Sequence, residues 1–237
     1  MTPRSRAWTR GAAVWALAAG VALATQAGCD PRALFYFLQP FEDTIAAPCP
    51  SLKGKKVVVL VHAATGTQVE FQDLDQQLAR KVGEALKAEV KRVEVVSADK
   101  VRTWVESHPS YTDPAECGRD FDADAVIFLE VEHFQIQDPR NPGMFEGHSK
   151  VHVQVHELKP PLGDDGKPDQ DAPRESEVVF DVYDDTDFPV QGPIPASPGV
   201  NPNTFRKKFF DLVVSELSWN FVPHAPGDNI QDTNFEK

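Results

Sequence analysis

Basic residues are scarce in this chain: 24 lysines and arginines face 36 aspartates and glutamates over 237 residues, a formal net charge of −12. A field of that sign repels phosphate backbones and anionic membrane surfaces, so nucleic acid is excluded as a partner. Cysteine occurs only at positions 29, 49 and 117, and never as C-x-x-C, which removes the common zinc and thiol-redox motifs. There is no G-x-S-x-G, no H-E-x-x-H, no phosphate-loop lysine and no dinucleotide glycine pattern. Carboxylates are abundant, but an acidic composition produces many accidental pairs and singles out no catalytic dyad. No cofactor is therefore expected, and no catalytic residue is assigned. No apolar run reaches the roughly 20 residues of a comfortable bilayer helix, and no internal repeat is present.

The first 28 residues hold Arg4, Arg6 and Arg10, no acid, and then the apolar stretch GAAVWALAAGVALA from Gly11 to Ala24. A positive segment, an apolar segment and a run of small residues make an export signal. The tripeptide AGC ending at Cys29 matches the last three positions of a bacterial lipobox, and here the chain resembles the bacterial lipoproteins. That resemblance implies cleavage before Cys29, diacylglycerol on its thiol and an acyl chain such as palmitate on the new amine. Gln26 departs from the pattern, standing where an aliphatic is usual, and the alternatives are ordinary cleavage after Ala24 or Ala27 and an uncleaved anchor. Loss of residues 1–28 takes the net charge from −12 to −15, because three cations and no acids leave. Outside the cytoplasm the two remaining cysteines, Cys49 and Cys117, are expected to form a disulfide, the alternative being two buried thiols.

Residues 29–54 read as a tether with an aromatic lead-in, Leu34 to Leu38, which is expected to pack on its own domain, the alternative being the headgroup region beside the lipid. KKVVVLVH (55–62) reads as a strand buried on both faces. Phe71, Leu74, Leu78, Val82, Leu86 and Val90 recur at helical spacing. A short strand (93–97), a short helix (98–108) and another helix opening at Asp113 and Pro114 follow. A long strand then runs from about 125 to 137. Its polar side chains change parity, with Glu130 and Glu132 even but His133, Gln135 and Gln137 odd, so a bulge is expected near His133. FEGHSKVHVQVHELK alternates with Val151, Val153 and Val155 inward, and SEVVFDVYDD offers Val178, Phe180 and Val182 in the same manner. The connection 160–175 is acidic and expected to be mobile, and the loop 186–203 is rich in proline. Phe205, Phe209, Leu212, Val213, Leu217 and Phe221 mark a final amphipathic helix before a polar tail, 223–237, that reads as disordered. The chain is thus read as α/β (α+β), one domain over 55–222, with a mixed sheet whose later strands form an antiparallel meander packed by helices.

His148, His152 and His156 recur every fourth residue. On a helix that spacing would suit a metal, but four residues of strand span about 13 Å while two ligands of one zinc each sit about 2 Å from it. No metal site is therefore assigned. The three histidines, with Glu130 and Glu132 on the adjacent strand, read instead as a solvated or partner-facing sheet surface. The turn HAATGTQ (62–68) opens a helix and could hold an anion, but an ordinary strand-to-helix turn is sufficient.

The segment VRTWVESHPSY followed by DPAECGRDFDADAVIFLEVEHF, and within it ADAVIFLEV from Ala123 to Val131, resembles a group of bacterial envelope lipoprotein domains. The group includes the amino-terminal domain of the translocation protein TolB, the curli-secretion lipoproteins and the lipoprotein activators of penicillin-binding proteins. The likeness covers about 55–222, and no functional residue carries over position by position. It implies a non-enzymatic docking module held at a membrane by its lipid, facing the periplasm or cell exterior and contacting other envelope proteins. The alternatives are a metal or small-ligand carrier and, behind it, an envelope hydrolase.

Overall fold

Five consecutive apolar residues, Val57 to Val61, form the centre of strand β1 (Lys56–Ala63), and all are buried. Successive strand side chains point to opposite faces, so such a run is stable only where both faces are covered. Here they are. Val57, Val59 and Val61 enter one hydrophobic core, and Val58 and Leu60 enter a second.

The computed structural model describes residues 44–64, 66–67, 71–137, 141–163, 166–169, 172–233 and 235. The signal segment, Cys29 and the aromatic lead-in Leu34 to Leu38 lie outside them. After β1 come α1 (Leu74–Glu89), β2 (Glu94–Val95), α2 (Ala98–Ser107), α3 (Pro114–Asp120) and β3 (Ala125–Gln135). Then follow β4 (Met144–Phe145), β5 (Gly147–Lys159), β6 (Glu175–Phe188), β7 (Ile194–Pro195) and α4 (Pro202–Trp219). The main sheet has the order β2-β1-β3-β5-β6, parallel across β2, β1 and β3 and antiparallel from β3 through β5 to β6. The described residues therefore form a single α/β domain, a mixed five-stranded sheet with an antiparallel meander and four helices. β4 and β7 form a small separate pairing, placing Phe145 beside Ile194.

Helices α1 and α4 cover the first face. Leu74, Leu78, Val82 and Leu86 of α1 and Phe205, Phe209, Val213 and Leu217 of α4 are buried against Ile127, Leu129, Val151, Val153 and Val155. Helix α4 starts where Asn201 accepts from the N–H groups of Asn203 and Thr204, each at 3.0 Å, with Pro202 in the first turn. Helices α2 and α3 cover part of the second face through Val101, Trp104, Ala115 and Cys117. Two glycines permit close approach. A Cβ at Gly118 would stand 2.3 Å from Leu158 and 2.4 Å from Val126, and one at Gly147 would stand 2.7 Å from the Phe209 ring. Side chains there would force the layers apart.

The bulge expected near His133 is present: the β3–β5 register shifts between Val131 and His133. It returns Phe134 to the core, 2 % exposed, after the change of parity. A second bulge was not expected. Between Val155 and His156 the β5–β6 pairing skips a residue, so Val155 faces Phe180 while His156 faces Val178. Val178 is consequently 47 % exposed instead of inward, whereas Phe180 and Val182 pack on the first core.

The expected disulfide is absent. Cys49 lies in the first core and Cys117 in the second, on opposite faces of the sheet, and both are free thiols. Burial pushes Cys49 up to about 11 and Cys117 to about 12, so neither is a thiolate at neutral pH. The domain also reaches beyond 55–222. Ile45 exchanges backbone hydrogen bonds with His224, and the Cys49 N–H donates to Asn220 at 3.0 Å. The tail, read as disordered, lies back on the body: Gln231 donates to the Asp187 carbonyl, and the Phe235 ring stacks 6.0 Å from Phe205. The acidic connection is pinned at its end by Arg174, which meets Asp122 at 2.8 Å and Asp124 at 3.2 Å.

Among the described residues β6 is one of the two edges of the main sheet, β2 being the other. β6 carries Glu175, Glu177, Asp181, Asp184, Asp185 and Asp187 within its 14 residues.

Candidate functional site: the polar face of β3, β5 and β6

The second face of the sheet is apolar where α2 and α3 cover it and charged beyond them. Glu130 and Glu132 come from β3, Lys150 and His152 from β5, and Asp181 and Tyr183 from β6. Register brings them together, since Glu130 faces His152 and His152 faces Tyr183 across the strands. His152 is the centre. Its Nε2 lies 2.7 Å from Asp181 Oδ1, its Nδ1 3.8 Å from Glu130, and its ring stacks 4.3 Å from Tyr183 with the planes 8° apart. Gln154 donates to the other Asp181 oxygen at 3.0 Å. Those hydrogen bonds, from Gln154 first and then His152, hold the Asp181 carboxyl below the usual range.

Lys150 bridges the same patch. Its Nζ pairs with Glu132 at 2.8 Å and sits 4.7 Å above the Tyr183 ring. Hydrogen bonding to Glu132 raises its pKa. His148, at the end of the row, has its Nδ1 2.6 Å from Asp187 and its Nε2 3.6 Å from Glu146. Each of these two histidines therefore has its own carboxylate from β6. Tyr183 is 53 % exposed at the middle of the patch.

His156 does not belong to the exposed surface. It is 8 % exposed, its Nδ1 is 3.3 Å from Ser176 Oγ, and its buried Nε2 has no hydrogen-bond partner. Burial lowers its pKa, against the attraction of Asp113, and favours the neutral ring. Among the described residues no three His, Cys, Asp or Glu side chains converge on a metal position. Along β5 the three histidines lie opposite different residues of β3: His148 faces Gln135, His152 faces Glu130 and His156 faces Val126. Of the turn at 62–68, only some residues are described, Thr67 among them and 9 % exposed.

A second polar cluster lies on the opposite face, where β6 meets α4. Thr186 Oγ1 donates to Glu216, and Asn220 Nδ2 donates to Asp184 at 2.5 Å. Burial pushes both carboxyls up, more than these hydrogen bonds pull them down. The folded chain therefore holds the Glu216 proton more tightly than the unfolded chain does. Its contribution to stability is full below the ordinary value of 4.5 and is lost as the pH climbs through the raised value. Glu216→Gln keeps an acceptor for Thr186 without the buried charge. It is expected to raise the thermal midpoint at pH 7, with the gain shrinking as the pH falls toward 4.5. Parallel melts at the two pH values check this; a variant less stable than the parent at pH 7 would mean the carboxylate is needed as an ion.

Comparison with known proteins gives fold likeness alone. No protein-family model matches the chain and no curated protein matches it. Among solved structures, the PelC dodecamer from Paraburkholderia phytofirmans is similar over 76 % of this chain and 95 % of its own, at 15 % identity and a TM-score of 0.37. Lipoprotein GNA1162 from Neisseria meningitidis is similar over 71 % of this chain and 99 % of its own, at 10 % identity and 0.38. The hypothetical protein CT253 from Chlamydia trachomatis is similar over 70 % and 96 %, at 12 % identity and 0.38. At such scores these likenesses carry no argument about what this chain does.

Proposed function

We propose that the chain is an exported, lipid-anchored, non-enzymatic docking module of a bacterial cell envelope, and that it meets its protein partner through the outer face of β3, β5 and β6. The anchor rests on the lipobox ending at Cys29. The docking face rests on one observation: Tyr183 stands half exposed on a stacked His152, within a ring of charges and with no helix of the described residues over it. A rigid aromatic with a polar tip, surrounded by satisfied polar groups, is the arrangement that interfaces favour. Tyr183 is fixed before a partner arrives, which lowers the ordering cost of association. The excess of carboxylates selects a partner surface with basic residues, and ionic strength would then alter the association rate.

A photoreactive residue in place of Tyr183 tests the reading in intact cells. A discrete crosslinked species is expected from position 183 and none from the same residue at Lys91, an exposed position beyond the end of α1. Equal patterns from the two positions, or none from either, would remove this face from consideration.

A further inference from the structure

Helix α4 presents three consecutive cations, Arg206, Lys207 and Lys208, and they are used differently. Lys208 pairs with Asp232 at 2.8 Å and lies 5.0 Å above the Phe235 ring. Arg206 and Lys207 have no carboxylate, hydrogen-bond or ring partner among the described residues. Both line a cleft of about 280 Å³ between the start of α1 and the start of α4.

The floor of that cleft is aromatic. Phe71 and Phe134 meet edge to face at 5.0 Å, and Phe210, partly buried, forms the wall below the cations. Gln77 adds an amide at the rim. The N-terminal N–H groups of α4 contribute little, because Asn201 already accepts from two of them. An anion there would be held by the Arg206 fork and the Lys207 ammonium, while an apolar body would lie on the three rings.

We propose that this cleft binds a small amphipathic anion, one carboxylate, phosphate or sulfate head on a single ring or short hydrocarbon body. The size limits the body, since a cleft of 280 Å³ is at the small end for ligand sites. The two cations select the head, in a chain whose acids outnumber its bases. Phe71 and Phe134 of the cleft belong to the first core, whereas the Tyr183 patch lies on the second face, so the site stands or falls independently of the docking face.

Titration of the purified full chain with phenylbutyrate, neutral phenylbutyramide and acetate, followed by backbone amide NMR shifts, tests the proposal. Phenylbutyrate should shift the amides of Gln72, Gln77 and Phe210, with affinity about tenfold or more above that of the other two. The double variant Arg206→Gln with Lys207→Gln should lose that advantage while keeping the parent thermal midpoint, because neither side chain has a partner among the described residues. Phe210→Ala should weaken phenylbutyrate and leave acetate unchanged. Equal binding of the acid and its amide would reduce the cleft to an apolar hole, and equal binding of acetate would reduce it to a simple anion contact. Either result, undiminished binding by the double variant, or no shifts at all with phenylbutyrate would overturn the proposal.

Discussion

Phe209→Ala is expected to cost about 3–5 kcal/mol of folding stability, the largest loss from any single change considered. The ring is fully buried at the point where α4 meets three strands. It lies 4.9 Å from Phe134 on β3 and 6.4 Å from Phe188 on β6, and it fills the space that Gly147 on β5 leaves by having no side chain. Removing it opens a cavity whose walls belong to separate elements, so collapse around the hole is restricted and the cavity cost persists. Against a typical total of about 5–15 kcal/mol, that loss brings the domain near its limit. Denaturant titration checks it: the midpoint should fall sharply with an unchanged slope. A shift of under about 1 kcal/mol would mean that α4 is not a load-carrying layer of this core.

Cys29→Ala is expected to abolish lipidation and with it processing at residue 29. Under the proposed anchoring, the native chain begins at Cys29 and carries acyl mass, and a diacylglycerol with a further acyl chain exceeds the two-signal threshold for stable attachment. Intact mass spectrometry of the membrane-extracted protein beside the variant reads both points at once. Acyl mass in the parent and none in the variant supports the anchor. An unlipidated parent beginning after Ala24 or Ala27 would instead describe a freely diffusing exported domain, and a small-ligand role would then move ahead of docking.

Local patterns carried much of the fold. The run Val57 to Val61 announced a strand with two covered faces, and the parity change after Glu132 announced the bulge that restores Phe134 to the core. The β6 bulge left no such mark: Val178, Val179 and Phe180 are all apolar, so alternation could not tell which one the bulge would turn outward. The cysteines were misplaced because periodicity says nothing about which face of a sheet a helix covers. Cys49 precedes β1 and Cys117 sits on α3, and the sheet runs between their two cores. The histidine row was legible, but not its partners. Asp181, Tyr183 and Asp187 alternate along β6, yet only the pairing register says that they meet His152 and His148. His156 shares the spacing of the other two and differs because Asp113 at the start of α3 and the neighbouring layer enclose it.

The open edge of β6 gains meaning from the proposed tether. Molecules rooted in one membrane share an orientation and diffuse in a plane, so their exposed strands would meet side by side far more often than in free solution. A long unpaired strand is a template for such joining. The five exposed carboxylates of β6, Glu175, Glu177, Asp181, Asp185 and Asp187, make each lateral encounter repulsive. A chain so tethered would stand densely in a bilayer without neighbouring sheets knitting into one.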